Sequence, residues 1–250
     1  MTHNLLCTVC GEKCSLLDVV DFNKSCEEIR GKFLDLSGIP IYYALCNKCG
    51  FCFSPEIITW DLEEFKEKIY NDQYVFVDPD YIETRPQSNA ASLITIFGDR
   101  AHSIKHLDYG GGSGVLANHL RKSNWNSISY DPFVDKKTID QLGKFDLITA
   151  FEVFEHVPDV QELMSNLCTL LSTNGVVLFS TLLSDGQINP NQRIVWWYAS
   201  PRNGHISLFS RKSLEILAHN HGFYFGSFSQ GFHFFCTKIP SWADHIIKPV

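Results

Sequence analysis

Two short segments of the chain place glycines and carboxylates where they could bind a nucleoside. The segment LDYGGGSG at 107–114 follows an apolar run, and its glycines let backbone N–H groups approach a ligand at the start of the next helix. Asp131 lies 17 residues beyond Gly114, at the end of the next predicted strand. A carboxylate at that position suits the hydroxyls of a ribose. The spacing therefore predicts a cofactor that carries a ribose.

Asp108 narrows the choice of cofactor. A glycine loop alone also fits a dinucleotide site or an ordinary tight turn. The negative charge of Asp108 opposes a pyrophosphate, whereas it suits a cationic ligand that carries an amino acid. S-adenosylmethionine meets this requirement and has no phosphate, so an NAD-dependent oxidoreductase becomes the less favoured interpretation. For Asp131 the alternative role is that of a turn carboxylate before Pro132.

The segment 104–181 resembles the class I S-adenosylmethionine-dependent methyltransferases. DYGGGSG matches their acidic-x-Gly-x-Gly-x-Gly signature, and FDLITAFEVFEH at 145–156 resembles their fourth motif. The resemblance implies an α/β fold with a Rossmann-like sheet and helices on both faces. It also implies S-adenosylmethionine as cofactor, contacted by Asp108, Tyr109, Gly110, Gly111, Gly112, Gly114, Asp131, Pro132, Phe133, Phe151 and Glu152. Only 13 residues separate Asp131 from Phe145 in place of the usual helix and third strand, so the adenine contact stays unassigned.

The segment after the predicted strand FDLITAF at 145–151 could hold a metal. If it is helical, Glu152, Glu155 and His156 share one face, where they could bind Mg²⁺. Ubiquinone-pathway O-methyltransferases and small-RNA terminal 2′-O-methyltransferases resemble this arrangement, and the resemblance makes His205 a further ligand. The alternative is that Glu152 bonds the backbone while Glu155 and His156 orient the loop or cap a helix.

Residues 182–209 form a long connection that contains WWYASPRNGHISLFS, a cluster of aromatic and polar side chains typical of a binding loop. We expect this insertion to shape the acceptor pocket. His205 is the leading candidate for the base that removes the acceptor proton, because an imidazole titrates near neutrality. His156 and Tyr198 are the next catalytic candidates. His205 could instead hold the turn by bonding the backbone.

The N-terminal cysteines form two knuckles with metal-ligand spacing. Cys7-Thr-Val-Cys10-Gly and Cys46-Asn-Lys-Cys49-Gly each place two thiolates on a tight turn, and four thiolates predict a closed, structural zinc site. Either Cys14 or Cys52 could replace one of these ligands. An iron–sulfur cluster is the alternative to zinc. A zinc-ribbon-like module before a methyltransferase core resembles methyltransferases of sugar and surface-polysaccharide biosynthesis.

The composition changes near residue 58, which predicts a module over 1–58 and a methyltransferase domain over 59–250, with its core at 104–181 and its acceptor-side insertion at 182–209. The segment DLEEFKEKIY at 61–70 predicts a helix capped by Asp61, with Leu62, Phe65 and Ile69 on its apolar face. The segment NDQYVFVDPDY that follows is expected to break this helix.

Charge and hydropathy exclude several classes of protein. A net charge of −7 opposes nonspecific binding to nucleic acid, and the chain contains no apolar run of 18 residues. Without a secretory signal at residues 1–13, we expect a cytoplasmic protein that does not insert into membranes. The resemblance to class I methyltransferases implies methylation, and we expect it on oxygen of a small-molecule or carbohydrate-linked acceptor. The alternative is a zinc-ribbon binding module whose methyltransferase fold is a scaffold or cofactor sensor without turnover.

Overall fold

The computed structural model describes residues 5–248. The chain forms two units, and each unit is made of segments that alternate with those of the other along the sequence. The cysteine unit contains the described residues up to Pro79 together with Phe154–Gln161 and Thr181–Leu217. The glycine-loop unit contains Asp80–Val153, Glu162–Ser180 and the described residues from Ala218. The boundary predicted near residue 58 falls inside the cysteine unit, and the domain limits stay a prediction.

The helices and strands are numbered in chain order. The strands are β1 (Cys14–Asp21), β2 (Pro40–Cys46), β3 (Cys52–Phe53), β4 (Lys105–Tyr109), β5 (Asn126–Tyr130), β6 (Phe145–Ala150), β7 (Leu171–Ser180), β8 (Ser207–Leu208), β9 (Tyr224–Ser227) and β10 (Phe232–Cys236). The α-helices are α1 (Leu62–Lys68), α2 (Tyr74–Val77), α3 (Thr84–Phe97), α4 (Val115–Lys122), α5 (Val160–Leu170) and α6 (Arg211–Asn220). Short 3-10 helices cover Cys26–Arg30, Ile57–Thr59, Gly98–Ser103, Ile139–Gln141, Phe154–His156, Pro201–Asn203 and Ser241–Ala243.

The glycine-loop unit is built on a six-stranded sheet in the order β5-β4-β6-β7-β10-β9. Strands β5, β4, β6 and β7 run parallel, whereas β10 is antiparallel to both β7 and β9. The alternation of helices with these strands produces the parallel part, because a parallel pair needs a crossover connection. The predicted Rossmann-like α/β fold is confirmed.

Both faces of this sheet are buried. On one face, Leu147, Val176 and Leu178 belong to a core cluster that includes residues of α3 and α4. Their strand neighbours point to the opposite face, because side chains alternate along a strand, and these neighbours are also fully buried: Ile148, Val177 and Phe179. Helix α5 ends at Leu170, and three of its leucines are buried: Leu163, Leu167 and Leu170.

Strand β5 is an edge of the sheet within the described residues. Between Asp131 and Lys144 the chain forms only the 3-10 turn Ile139–Gln141, where the resemblance expected a helix and a third strand. The 13-residue connection is too short for a helix followed by a paired strand. The sequence indicated that the usual helix and third strand are missing here. In the structure the sheet accordingly ends at β5.

The cysteine unit contains an antiparallel sheet in the order β1-β2-β3-β8. Strand β8 comes from the insertion predicted at 182–209, and it pairs Leu208 with Cys52 and Ser207 with Phe53. This pairing was not predicted, because two residues carry no recognisable strand pattern. The insertion thus shares one sheet with strands that contain Cys14, Cys46 and Cys52.

Helix α1 begins as predicted at the Asp61 cap, and Asp61 and Glu64 form a capping box. Phe65 and Ile69, the residue that ends the helix, are buried, whereas Leu62 is 45% exposed and is not buried with them. Leu62 is the first residue of the helix, where no preceding turn helps to cover it. The next segment was expected only to break the helix, but it contains the single turn α2. None of the helices between residues 5 and 248 has both the length and the apolar character that crossing a bilayer requires.

Candidate functional site

The glycine loop follows β4 and leads into α4. Gly110, Gly112 and Gly114 have φ angles of 73°, 52° and 76°, a left-handed conformation that side chains disfavour. A Cβ on Gly110 would also lie 2.5 Å from Cγ2 of Val153. The predicted Gly-x-Gly-x-Gly spacing therefore corresponds to three positions whose backbone conformation favours glycine.

Gly111 lies between Gly110 and Gly112, and it is favoured there because a side chain would have no space. Its φ is ordinary, but a Cβ there would lie 2.3 Å from Oγ of Ser129 and 2.4 Å from Oδ2 of Asp108. Real Cβ atoms do not approach other atoms so closely. The loop backbone is thus packed directly on two polar side chains from neighbouring strands.

Asp131 ties the glycine loop to the turn after β5. Its Oδ2 accepts a hydrogen bond from the Gly112 N–H at 2.9 Å, and its Oδ1 accepts one from the Phe133 N–H at 2.8 Å. The second bond is the turn contact that the alternative interpretation expected, and the first bond adds a role in holding the loop. Burial raises the pKa of Asp131, and the two backbone N–H groups oppose that rise.

Asp108 lies beneath the loop and is 3% exposed. Its Oδ1 accepts a hydrogen bond from the Thr149 hydroxyl of β6 at 2.9 Å. Burial raises the pKa of Asp108 to about 7, the bond from Thr149 opposes this rise, and the nearby charge of Asp131 adds to it. The carboxyl group can therefore change its charge near neutral pH.

The other predicted cofactor residues flank the loop in the same unit. Tyr109 is buried at the end of β4, and its hydroxyl accepts a hydrogen bond from Asn166 at 3.3 Å. Pro132 is exposed and Phe133 is half-buried in the turn after Asp131. Phe151 is half-buried, and its ring centroid lies 6.0 Å from that of Phe232.

Glu152 follows β6 in a left-handed conformation, with φ of 55°. A non-glycine residue in this region costs about 1–3 kcal/mol, and such strain is concentrated at functional sites. Two hydrogen bonds with Ser180 hold it: its N–H donates to the Ser180 Oγ at 2.8 Å, and its Oε1 accepts from that hydroxyl at 2.9 Å. Its Oε2 lies 3.8 Å from an Arg85 nitrogen.

Glu152, Glu155 and His156 were expected to share a face if their segment is helical, and this condition is not met. Within this segment only Phe154–His156 is helical, as a single 3-10 turn, and the left-handed Glu152 lies outside it. The cysteine unit instead brings Glu155 and His156 together with His205, and their possible ligand atoms all lie within 4.8 Å of one another. One carboxylate and two imidazoles at this spacing could hold a divalent cation.

Tyr198 and His205 complete this cluster. The Tyr198 hydroxyl donates to Oε1 of the fully buried Glu155 at 2.5 Å. Nδ1 of His205 lies 2.8 Å from the Tyr198 carbonyl, which can only accept, so neutral His205 carries its proton on Nδ1 and has its basic lone pair on Nε2. The backbone contact that the alternative interpretation expected for His205 is present, and it also sets the tautomer.

The four knuckle cysteines converge in the cysteine unit. The Sγ atoms of Cys7 and Cys49 lie 3.6 Å apart, those of Cys10 and Cys46 lie 3.5 Å apart, and all four fall within 4.8 Å. Thiolates about 2.3 Å from one tetrahedral zinc ion are roughly 3.8 Å from each other. The four sulfur atoms are therefore close enough together to bind one tetrahedral zinc ion.

The two knuckles have the same backbone geometry. In each, the glycine N–H donates to the carbonyl of the first cysteine at 2.9 Å, from Gly11 to Cys7 and from Gly50 to Cys46. The hydrogen bond from Cys49 lowers the pKa of the Cys7 thiol to about 5, whereas the same bond raises the pKa of Cys49. Cys14 and Cys52 stand outside the four-sulfur group.

A family model described as "Methyltransferase domain" matches residues 81–225, which is more than half of the chain. The chain therefore belongs to this methyltransferase family. The matched segment includes the glycine loop, Asp131, Glu152 and the Glu155, His156 and His205 cluster.

Curated relatives match over shorter segments. The ubiquinone biosynthesis O-methyltransferase of Histophilus somni is 39% identical over 59 residues, covering 24% of this chain and 25% of the relative. The enzyme of the same name from Colwellia psychrerythraea is 28% identical over 105 residues, covering 32% of this chain and 43% of the relative. The chain thus matches a quarter of the length of the first relative and less than half of the length of the second.

Two solved structures have a similar fold. Human N-acetylserotonin methyltransferase in complex with S-adenosylmethionine has a TM-score of 0.52 and 15% identity, with 70% of this chain and 59% of that chain covered. An O-methyltransferase family protein from Burkholderia thailandensis has a TM-score of 0.51 and 12% identity, with coverages of 71% and 63%. At these identities the similarity shows the fold.

We expect Gly111→Ala to lower the free energy of unfolding by about 1–3 kcal/mol, because the added methyl overlaps Ser129 and Asp108. Urea unfolding without ligand measures this change. The control is Ser113→Ala in the same loop, where the side chain is exposed and the change stays below about 0.5 kcal/mol. A Gly111→Ala protein as stable as the unchanged chain would contradict the packing described here.

Proposed function

We propose that the protein is an S-adenosylmethionine-dependent O-methyltransferase that acts on a small-molecule or carbohydrate-linked acceptor. The observation that carries the proposal is the glycine loop, packed on Asp108 and tied to Asp131 at the carboxyl ends of two adjacent parallel strands. Ligands of α/β sheets bind at these strand ends. The negative charges suit a sulfonium ligand with an ammonium group and oppose a pyrophosphate.

The donor is assigned to the glycine-loop unit. The backbone around Gly110 and Gly112 takes the methionine part, and Asp131 takes the ribose hydroxyls. Each Asp131 oxygen already accepts one hydrogen bond, but a carboxylate has about four acceptor sites in total. Asp131 can therefore hold the loop and accept ribose hydroxyls at the same time.

Methyl transfer to oxygen needs a positioned hydroxyl and a base. The acceptor oxygen displaces the sulfur in line, so that a C–O bond forms, the S–C bond breaks and S-adenosylhomocysteine leaves. We assign removal of the hydroxyl proton to Nε2 of His205, because Nδ1 is committed to the Tyr198 carbonyl. The names of the curated relatives favour oxygen as the methylated atom.

A divalent cation is the second candidate for the same cluster, favoured by the convergence of ligand atoms from Glu155, His156 and His205. When bound, a cation supplies Lewis acidity to an acceptor oxygen. Two imidazoles and one carboxylate suit Mn²⁺, Fe²⁺ or Zn²⁺ as well as the Mg²⁺ expected from the sequence.

We assign zinc to Cys7, Cys10, Cys46 and Cys49. Four thiolates leave no open position, so zinc there stabilises the fold of the cysteine unit and does not take part in methyl transfer.

Calorimetry with S-adenosylhomocysteine and NAD tests the donor assignment. We expect S-adenosylhomocysteine to bind and NAD not to bind. Asp131→Ala should weaken S-adenosylhomocysteine at least tenfold, roughly the value of a hydrogen bond to a charged group, whereas the exposed control Asp140→Ala should leave it unchanged. Absence of S-adenosylhomocysteine binding to the unchanged chain would refute the proposal.

Turnover tests the acceptor chemistry, with labelled cofactor and a panel of quinol precursors, small phenols and sugar nucleotides. We expect His205→Ala to lower kcat by about 10²–10⁴-fold and to leave S-adenosylhomocysteine affinity unchanged, while the exposed control His219→Ala retains activity. Loss of activity on chelation that Mg²⁺ or Mn²⁺ restores supports the cation, and indifference to chelation supports the base. Cofactor binding without turnover on any acceptor favours the scaffold or sensor.

Metal analysis tests the cysteine site. We expect about one zinc per chain, no iron–sulfur absorption, and loss of zinc in Cys46→Ser. Cys14→Ser and the half-buried control Cys168→Ser should keep the metal, because neither belongs to the four-sulfur group. Zinc loss in Cys14→Ser would instead make Cys14 a ligand.

A further inference from the structure

A chain of buried hydrogen bonds crosses three strands beneath the glycine loop. Ser127 of β5 lies 2.8 Å from Nδ1 of His106 on β4, and Nε2 of His106 lies 3.0 Å from the hydroxyl of Thr149 on β6. Thr149 in turn contacts Asp108 at 2.9 Å. All four side chains are buried, none of them more than 3% exposed.

The direction of these bonds follows from what each group can donate. The Thr149 hydroxyl donates its single proton to the Asp108 carboxylate, so it must accept from Nε2–H of His106. Nδ1 of His106 then accepts from the Ser127 hydroxyl. The four groups form one ordered relay that ends at Asp108.

His106 is an unusual residue for the middle of a buried parallel strand, where apolar side chains are typical. Burial lowers the pKa of His106 to about 3, so the imidazole is neutral at physiological pH and offers Asp108 no positive charge. Its influence on Asp108 must therefore pass through the Thr149 hydroxyl.

We propose that His106 is a positioning residue for the donor site, which, through Thr149, orients the Asp108 carboxylate under the glycine loop for the amino acid part of the cofactor. The inference rests on the proposed binding of S-adenosylmethionine by this loop. It goes further in assigning a role to a side chain that belongs to no cofactor motif.

The groups around Asp108 define its pH response. His106 from β4 and Thr149 from β6 are uncharged, and the charged group that faces Asp108 is Asp131 after β5, itself influenced by Asp135. Ionisation of Asp108 as pH rises through about 7 strengthens attraction for the ligand ammonium, so affinity should rise over this range. Removing the Thr149 donor destabilises the carboxylate and moves the midpoint to higher pH.

The experiment compares two ligands by calorimetry between pH 6 and 8.5. S-adenosylhomocysteine has the amino acid part, and 5′-methylthioadenosine keeps the nucleoside without it. We expect Thr149→Val and His106→Leu to weaken S-adenosylhomocysteine about tenfold at neutral pH and to raise the midpoint of its pH profile. Binding of 5′-methylthioadenosine should change less than about twofold, because Asp108 is assigned to the amino acid.

Conservative variants separate positioning from packing. Thr149→Ser keeps the hydroxyl and His106→Gln keeps a donor toward it, so both should restore the midpoint. Thr169→Val is the matched control, since this exposed threonine lies outside the relay. In the free protein, ¹H–¹⁵N NMR at pH 8.5 should show His106 as the Nε2–H tautomer.

The outcomes distinguish the two proposals. An unchanged chain that binds neither ligand refutes donor binding, while the NMR tautomer still reports whether the relay exists. Equal weakening of both ligands with an unmoved midpoint overturns the positioning role of His106, as does an Nδ1–H tautomer. If His106→Leu does not fold, Thr149→Val and Thr149→Ser decide the question.

Discussion

The backbone of Gly111 lies so close to Asp108 and Ser129 that no side chain can stand between them, and much of the donor site depends on this contact. The contact places the loop directly on these two side chains, and Asp108 beneath the loop is 3% exposed. A carboxyl group in such a place needs a hydrogen-bond donor, which Thr149 provides. Thr149 then needs a donor of its own, and His106 occupies that position.

The two units carry different chemistry. The glycine-loop unit holds the carboxylates and the loop, whereas the cysteine unit holds both the four thiolates and the cluster of Glu155, His156 and His205. Within the cysteine unit, His205 and the next residue, which lead into β8, bond to the segment around β2 and β3. The His205 carbonyl accepts a hydrogen bond from Tyr43 of β2 at 2.7 Å, and the Ile206 carbonyl accepts one from the N–H of Ser54 at 2.9 Å.

The fold and the glycine loop could be predicted from the sequence because their signals are local. Gly110, Gly112 and Gly114 mark backbone conformations that glycine adopts more readily than other residues. Cys46 and Cys49 are three residues apart and lie on the same knuckle turn, so their pairing is also a local signal. The Glu155, His156 and His205 grouping depends on residues far apart in the chain, so only a resemblance pointed to His205. The helix considered for Glu152, Glu155 and His156 does not form at Glu152, which is left-handed. No periodic pattern in the sequence marks such a residue.

The pairing of β3 with β8 joins Cys52 to Leu208 across most of the chain. Such a contact raises the contact order of the fold. Closing so long a loop costs conformational entropy before the strand pair can contribute stability. On the ribosome, the cysteine unit cannot complete its sheet until Leu208 has emerged, and the glycine-loop unit also waits for β9 and β10 near the C-terminal end. The cysteine unit therefore cannot fold as an independent N-terminal domain before the segments of the glycine-loop unit that precede β8 have been made.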